Sequence, residues 1–193
     1  MAYFLQNEEP SERYINMLDK YIMEMVNKVC IIQTITPVLA GWNDKMLGYV
    51  VAYDQNNNSK VVSTSDYEAK KDEYKKKYII LDRFFPRNSN GEIDYLLSFS
   101  RKILYILTHN GFKDARIIKI EPAGRIGRIC YNVSNPQKDN VVLYIEYFEG
   151  KLFTYFHSKE NIKEEIRGNY QIGFWKKAGF GQVTFTITNI NKK

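Results

Sequence analysis

The chain has two side chains whose ordinary pKa lies near neutrality, His109 and His157. His157 closes the run Leu152-Phe153-Thr154-Tyr155-Phe156. A metal-free ribonuclease needs a proton acceptor near pH 7 and cations that hold the phosphate. His157 with Lys119, Arg125 or Arg128 supplies those residue types. His109 ends a long amphipathic run, where a polar or cationic side chain suits the negative end of a helix, so it reads as a cap. Asp139, Glu149 and Lys151 follow the order in which paired carboxylates and a lysine hold Mg²⁺ and polarise water. That chemistry needs Glu and Lys fixed within a strand, whereas Glu149-Gly150-Lys151 reads as a hairpin turn. Cys30 and Cys130 stand one hundred positions apart in apolar runs, which is neither a zinc set nor a disulfide framework. Both read as small buried hydrophobes in a reducing compartment.

Other motifs are excluded by context. Gly124-Arg125-Ile126-Gly127 has the Gly-x-x-Gly form of an RNA-clamping loop, but such a loop joins two helices and here a β-branched, extended segment follows. No phosphate-cradling Gly-x-x-x-x-Gly-Lys loop, dinucleotide fingerprint or nucleophile elbow occurs, so no cofactor and no metal are expected.

What remains is an interleaving of basic and aromatic residues. Arg116, Lys119, Arg125 and Arg128 fall on the first expected hairpin of the C-terminal half. Trp175, Lys176, Lys177 and Phe180 fall on the last, among Gly173, Gly179 and Gly181. Arginine and lysine neutralise phosphates, aromatic rings stack on unpaired bases, and glycine lets a backbone approach a ligand.

The charge distribution points the same way. The 193 residues carry 28 Lys and Arg against 22 Asp and Glu. Residues 1–97 hold 12 basic and 14 acidic side chains, whereas residues 98–193 hold 16 and 8, so the second half holds all the excess positive charge. A field of that sign attracts nucleic acid or an acidic protein. The first functional reading is therefore a non-catalytic nucleic-acid-binding protein, or the nucleic-acid-facing subunit of an assembly. The second is an interaction protein of the phage, mobile-element or toxin–immunity kind, with an acidic protein partner. The third is the small metal-free ribonuclease. The N-terminus lacks a signal-peptide pattern, and the longest uncharged run is too short and polar to cross a membrane. A cytoplasmic protein without membrane association is expected.

The elements that must position these residues read as an α+β fold. Hydrophobic residues at 44% and charged residues at 26% give a chain able to bury a core without disulfides. A single domain is expected over 1–193, with 1–91 as helix plus small meander and 92–193 as central helix plus basic antiparallel sheet. The spacing of Ile15, Leu18, Ile22, Met25, Val26 and Val29 predicts an amphipathic helix over 12–29. Strands follow at 31–38, 47–53 and 60–63, with a turn at 41–44. Ser65 and Glu68 form a capping box for a polar helix that rests on Tyr67, Tyr74 and Tyr78. Residues 92–108 predict a helix that is apolar over most of its circumference and hence buried, closed by Asn110-Gly111-Phe112. From Ala115 the period becomes two. Strands are expected at 115–121, 125–133, 140–148, 151–157, 169–176 and 181–190, with turns at 121–124, 135–138, 149–150 and 177–179, and a short helix at 161–167. Consecutive short-turned strands predict a meander.

Overall fold

The computed structural model describes residues 20–21, 25–133 and 141–190. It is an α+β structure with two antiparallel sheets. The larger sheet contains β1 (Lys28–Thr34), β2 (Val38–Leu39), β6 (Arg116–Val133), β7 (Val141–His157), β8 (Ile166–Gln171) and β9 (Gln182–Asn189). β7 pairs with β6 along one edge and with β1 and then β2 along the other. β9 lies beyond β1, and β8 is the far edge. The smaller sheet runs β4 (Ser59–Ser63), β3 (Tyr49–Tyr53), β5 (Ile79–Ile80). Short helices α1 (Asp44–Leu47), α2 (Thr64–Ala69) and α3 (Lys71–Lys77) surround it, and α4 (Tyr95–His109) covers the larger sheet.

Several sequence expectations are corrected. Most of the expected 12–29 helix lies outside the described residues. Residues 20, 21 and 25 are helical, but Lys28 and Val29 already belong to β1. The expected meander is interrupted, because β1 inserts between β7 and β9 and pairs with both. β-Branched character marked that segment as a strand, but its partners lie more than one hundred residues away. The expected turn at 41–44 is the N-cap of α1, where Asn43 accepts from the Met46 N–H. Ser63, not Ser65, caps α2, accepting from the Asp66 N–H. No helix forms at 161–167; Ile166 and Arg167 open β8.

The turns expected at 121–124 and 149–150 do not form either. β6 and β7 run through both as one ribbon of 18 and 17 residues, about 60 Å long at ~3.3 Å per residue. Both signals were real but lie opposite each other, with Gly124 facing Gly150. A Cβ on Gly124 would stand 2.3 Å from the Glu149 carbonyl oxygen, and one on Gly150 2.5 Å from that of Ala123. Gly150 also has φ +143°, so the two glycines let the backbones touch. Pro122 is tolerated because β6 pairs on one side only and the missing N–H costs the sheet no ladder bond. The register also shifts between Ile117 and Lys119, a β-bulge.

The core lies between α4 and one face of the larger sheet. Cys30, Ile32, Leu152, Phe156, Val183, Phe185 and Ile187 project to it, as alternation dictates, and Phe99, Ile103, Ile106 and Leu107 of α4 meet them. Phe99 contacts Phe85 and Phe148, and Phe112 meets Phe156 edge-on. Burial pushes the Cys30 thiol up to about 12. The helix is not buried over most of its circumference as its apolar sequence implied: Leu96, Leu97 and Leu104 are exposed.

A buried ion pair joins the two sheets. Glu146 of β7 accepts from Arg87 Nη2 at 2.6 Å and from Tyr53 Oη of β3 at 2.9 Å through Oε1. Its Oε2 accepts from the Phe85 N–H at 2.9 Å and from Arg87 Nη1 at 3.0 Å. The side chains are 0% and 3% exposed. Burial, and then the Glu146 charge, push the Tyr53 phenol up to about 12.

Glu146→Ala should cost about 3–5 kcal/mol of unfolding free energy in urea, because it leaves a buried guanidinium uncompensated. Glu146→Leu combined with Arg87→Met should recover much of that loss. An additive double variant would contradict this account. The buried Thr154 hydroxyl has no hydrogen-bond partner. Thr154→Val should therefore stabilise the protein, by about 1 kcal/mol in the same assay.

Candidate nucleic-acid interface

β-Strand alternation gives the larger sheet a second face. Opposite the core residues, β7 projects Tyr147, Glu149, Lys151, Phe153, Tyr155 and His157; β1 projects Val29, Ile31 and Gln33; β9 projects Thr184, Thr186 and Thr188. The register sets them in rows. Tyr155 pairs with Val29, which pairs with Thr188; Phe153 pairs with Ile31, which pairs with Thr186. α4 lies against the core side, and α1, α2 and α3 adjoin the smaller sheet, while at the His157 end the helical residue Met25 approaches this second face. The aromatic and β-branched side chains of these rows are half-buried and belong to none of the core clusters.

Three of the sequence-selected cations border this face. Arg116 pairs in register with His157, Lys119 with Tyr155 and Arg125 with Glu149. The last two have acidic neighbours: Lys119 Nζ lies 2.6 Å from Glu121 Oε1, and Arg125 donates from Nε and Nη2 to Glu149 Oε2 at 2.9 and 2.7 Å. Arg167 on β8 has Glu165 as a partner. Exposed pairs of this kind are worth under about 1 kcal/mol, so a phosphate can compete for the cation. Arg116 and Lys151 have no carboxylate at ion-pair distance among the described residues. Arg128 does not belong to this face. It pairs with Glu146, its guanidinium covers the Tyr53 ring at 4.1 Å, and Nη2 donates to Asn57 Oδ1 at 2.5 Å. It braces the smaller sheet against the ribbon.

The β8–β9 connection carries the other selected residues. Lys176 and Lys177 are exposed on a single 3₁₀ turn; Trp175 and Phe180 are half-buried. The loop is tied to the β1–β2 connection. The Gly181 N–H donates to the Pro37 carbonyl at 2.9 Å, the Phe174 N–H to that of Leu39 at 3.1 Å, and Thr36 Oγ1 to that of Gly179 at 2.9 Å. A Cβ on Gly181 would stand 1.7 Å from the Ile172 carbonyl oxygen, so only glycine fits there. Trp175 itself has φ +52°, a left-handed conformation costing on the order of 1 kcal/mol in a residue with a Cβ. That conformation sets its indole parallel to Phe174 at 5.4 Å and edge-on to Tyr131 at 4.7 Å, while the Arg83 guanidinium lies 4.8 Å from the Phe174 ring.

Among the described residues, the two basic regions of the sequence approach each other through the Tyr131–Trp175 ring contact. Arg116 lies fifteen residues from Tyr131 along β6, about 50 Å. Of the residues considered for a ribonuclease, Lys119 is brought beside His157, and Arg125 and Arg128 are not. His157 Nδ1 lies 3.0 Å from the Met25 carbonyl oxygen. Arg116 and Lys119 are its register neighbours, whereas Arg125 pairs eight residues further along β7, about 26 Å away, and Arg128 projects from the opposite face. His109 Nδ1 lies 2.8 Å from the Tyr105 carbonyl oxygen at the end of α4, the capping place expected of it. Among the described residues no group of His, Cys, Asp and Glu could hold a metal ion. A cleft of ≈ 740 Å³ lies between the smaller sheet and residues 142–144 and contains none of the selected residues.

Sequence reasoning missed Tyr131, Tyr147, Lys151, Phe153 and Tyr155. The alternation in 152–157 was visible, but both of its faces are apolar, and nothing local says which face is covered.

Tyr131→Ala should lower the unfolding free energy by about 0.5–1.5 kcal/mol, the value of one aromatic pair. It should also red-shift Trp175 emission, read in a Trp42→Phe background. An unshifted spectrum would mean that the ring pair does not exist in solution.

Compared with protein-family models, curated proteins and solved structures, the chain matches none.

Proposed function

We propose that the chain binds single-stranded nucleic acid across the face of its larger sheet opposite α4, without catalysing a reaction on it. The observation that carries this reading is a sheet face on which Phe153 and Tyr155 stand in successive positions beside Lys151, with Tyr147 further along the same row, bordered by Arg116, Lys119 and Arg125. Unpaired bases stack on aromatic side chains with about 1–3 kcal/mol per base, whatever their sequence, while cations at the border neutralise the phosphates. Trp175, Lys176 and Lys177 extend the same chemistry at the Tyr131 end of the ribbon. The threonine row of β9 offers hydroxyls that both donate and accept, suited to base edges and sugar oxygens. A duplex keeps its bases stacked on each other and offers such a face only its backbone, so single strands are favoured. Two free thiols, Cys30 and Cys130, suit a reducing, cytoplasmic setting. No described helix is long and apolar enough to cross a membrane. The chain acts alone or as the nucleic-acid-facing part of an assembly.

Fluorescence anisotropy with labelled single-stranded RNA, single-stranded DNA and duplex across a salt series tests the reading. Phe153→Ala and Tyr155→Ala should each weaken single-strand binding about tenfold. Arg116→Ala and Lys151→Ala should each flatten the salt dependence by about one ion. Arg128 substitutions are unsuitable probes because that side chain braces the fold. Preference for duplex, or binding indifferent to Phe153 and Tyr155, would overturn the proposal.

A further inference from the structure

The outer side of α4, on the opposite layer of the molecule, carries an exposed apolar stripe. The fifteen residues of this helix include no Asp or Glu; its formal charges at neutral pH are Arg101 and Lys102. Leu97, Arg101 and Leu104 stand at i, i+4 and i+7 on one line, and Leu96 and Tyr105 widen the stripe. Leu97 is 53% and Leu96 45% exposed. The stripe borders a groove of ≈ 470 Å³ whose α4 side carries Leu97, Arg101 and Lys102 and whose far side carries Trp42, Met46 and Phe174. Met46 is 62% exposed at its lip. Neither Arg101 nor Lys102 has an acidic partner at ion-pair distance among the described residues.

We propose that this surface docks an acidic amphipathic helix of a partner protein, independently of the nucleic-acid reading. Three features select that occupant. The apolar stripe spans about 14 Å of helix axis from Leu96 to Tyr105, longer than a small ligand needs and suited to two turns of a facing helix. The groove beside it is concave and receives side chains projecting from such a helix, whereas a flat bilayer surface would leave it unfilled. The two unpaired cations ask for carboxylates. A second copy of this chain, related by a two-fold axis at the middle of the stripe, would set Arg101 against its own equivalent, and like charges oppose that pairing.

The test uses the full chain and a fluorescein-labelled, stapled helical peptide of leucine and glutamate, with leucines at i, i+4 and i+7. One control has the same composition with the leucines scrambled around the helix, and a second has lysine for glutamate. The acidic aligned helix should bind about tenfold or more tightly than either control. Leu97→Asp should remove that preference, and so should the double variant Arg101→Glu with Lys102→Glu. The unfolding midpoint should stay unchanged, because all three side chains are exposed. Equal binding of the scrambled peptide, or indifference to Leu97→Asp, would overturn the proposal. Phosphatidylserine vesicles that bind more tightly than the peptide and respond to the same variants would assign the surface to a membrane instead. Self-association abolished by Leu97→Asp would assign it to a second copy. Acceptance of the peptide only after Glu8→Lys and Glu9→Lys would assign it to the chain's own N-terminal segment. Each of these three results rejects an acidic partner protein. Loss of single-strand binding in the Phe153 and Tyr155 variants leaves this surface unaffected, so the two proposals fail separately.

Discussion

The carboxylate of Glu146 is the point on which the arrangement of the two sheets depends. It is fully buried, and four donors from two parts of the chain converge on it: two from Arg87, one from the nearby Phe85 backbone and one from the phenol of Tyr53. Desolvating two charges is expensive, and their attraction repays it only when every lone pair and proton is used. The pair is therefore less a source of surplus stability than a condition of assembly. β3, residues 85–87 and β7 can be compact together in one relative placement only. α4 inherits that placement. The Asp94 N–H donates to the Pro86 carbonyl next to Arg87, and Phe85 packs on Phe99. Arg128, lying on Tyr53, braces the same junction from β6.

How much of this was legible in the sequence depended on the range of the interaction. The presence of α4 was legible, because the apolar spacing and Asn110-Gly111-Phe112 are local signals. The wet and dry alternation of Val183 to Thr188 was legible for the same reason. What α4 covers was not: Leu96, Leu97 and Leu104 look like core residues until the sheet turns out to meet only one side of the helix. The glycine and proline signals at 121–124 and 149–150 were read as two turns. They are one feature shared by two strands, and only the register brings them together. The place of β1 lay beyond any local reading, since it is set by strands more than one hundred residues downstream.

The candidate site shows the same division. Residue types drew attention to the cations, which are conspicuous in composition. Alternation then decided which of them act together: Arg116, Lys119 and Arg125 share a face, while Arg128 points the other way. Two of the three also have glutamate neighbours, so their local field is smaller than the charge count implied. The aromatics of β7 carry more of the site's character, and they were hidden in a segment apolar on both faces.

β1 stands in the middle of the larger sheet, and that position sets an order of events. Its hydrogen-bonding partners are β7 on one side and β9 on the other, and β9 ends at Asn189. During synthesis β1 is among the first strands to leave the ribosome, yet its seat does not exist until the last strand has followed. The β6–β7 ribbon closes over a short sequence separation and forms early; the slot for β1 closes over a long one and forms late. Until then, two sheet edges face each other across a gap the width of one strand. Any unseated β1 fits that gap, including one from a neighbouring chain. Fidelity in making this protein is thus a race between a strand returning to its own sheet and arriving at another's.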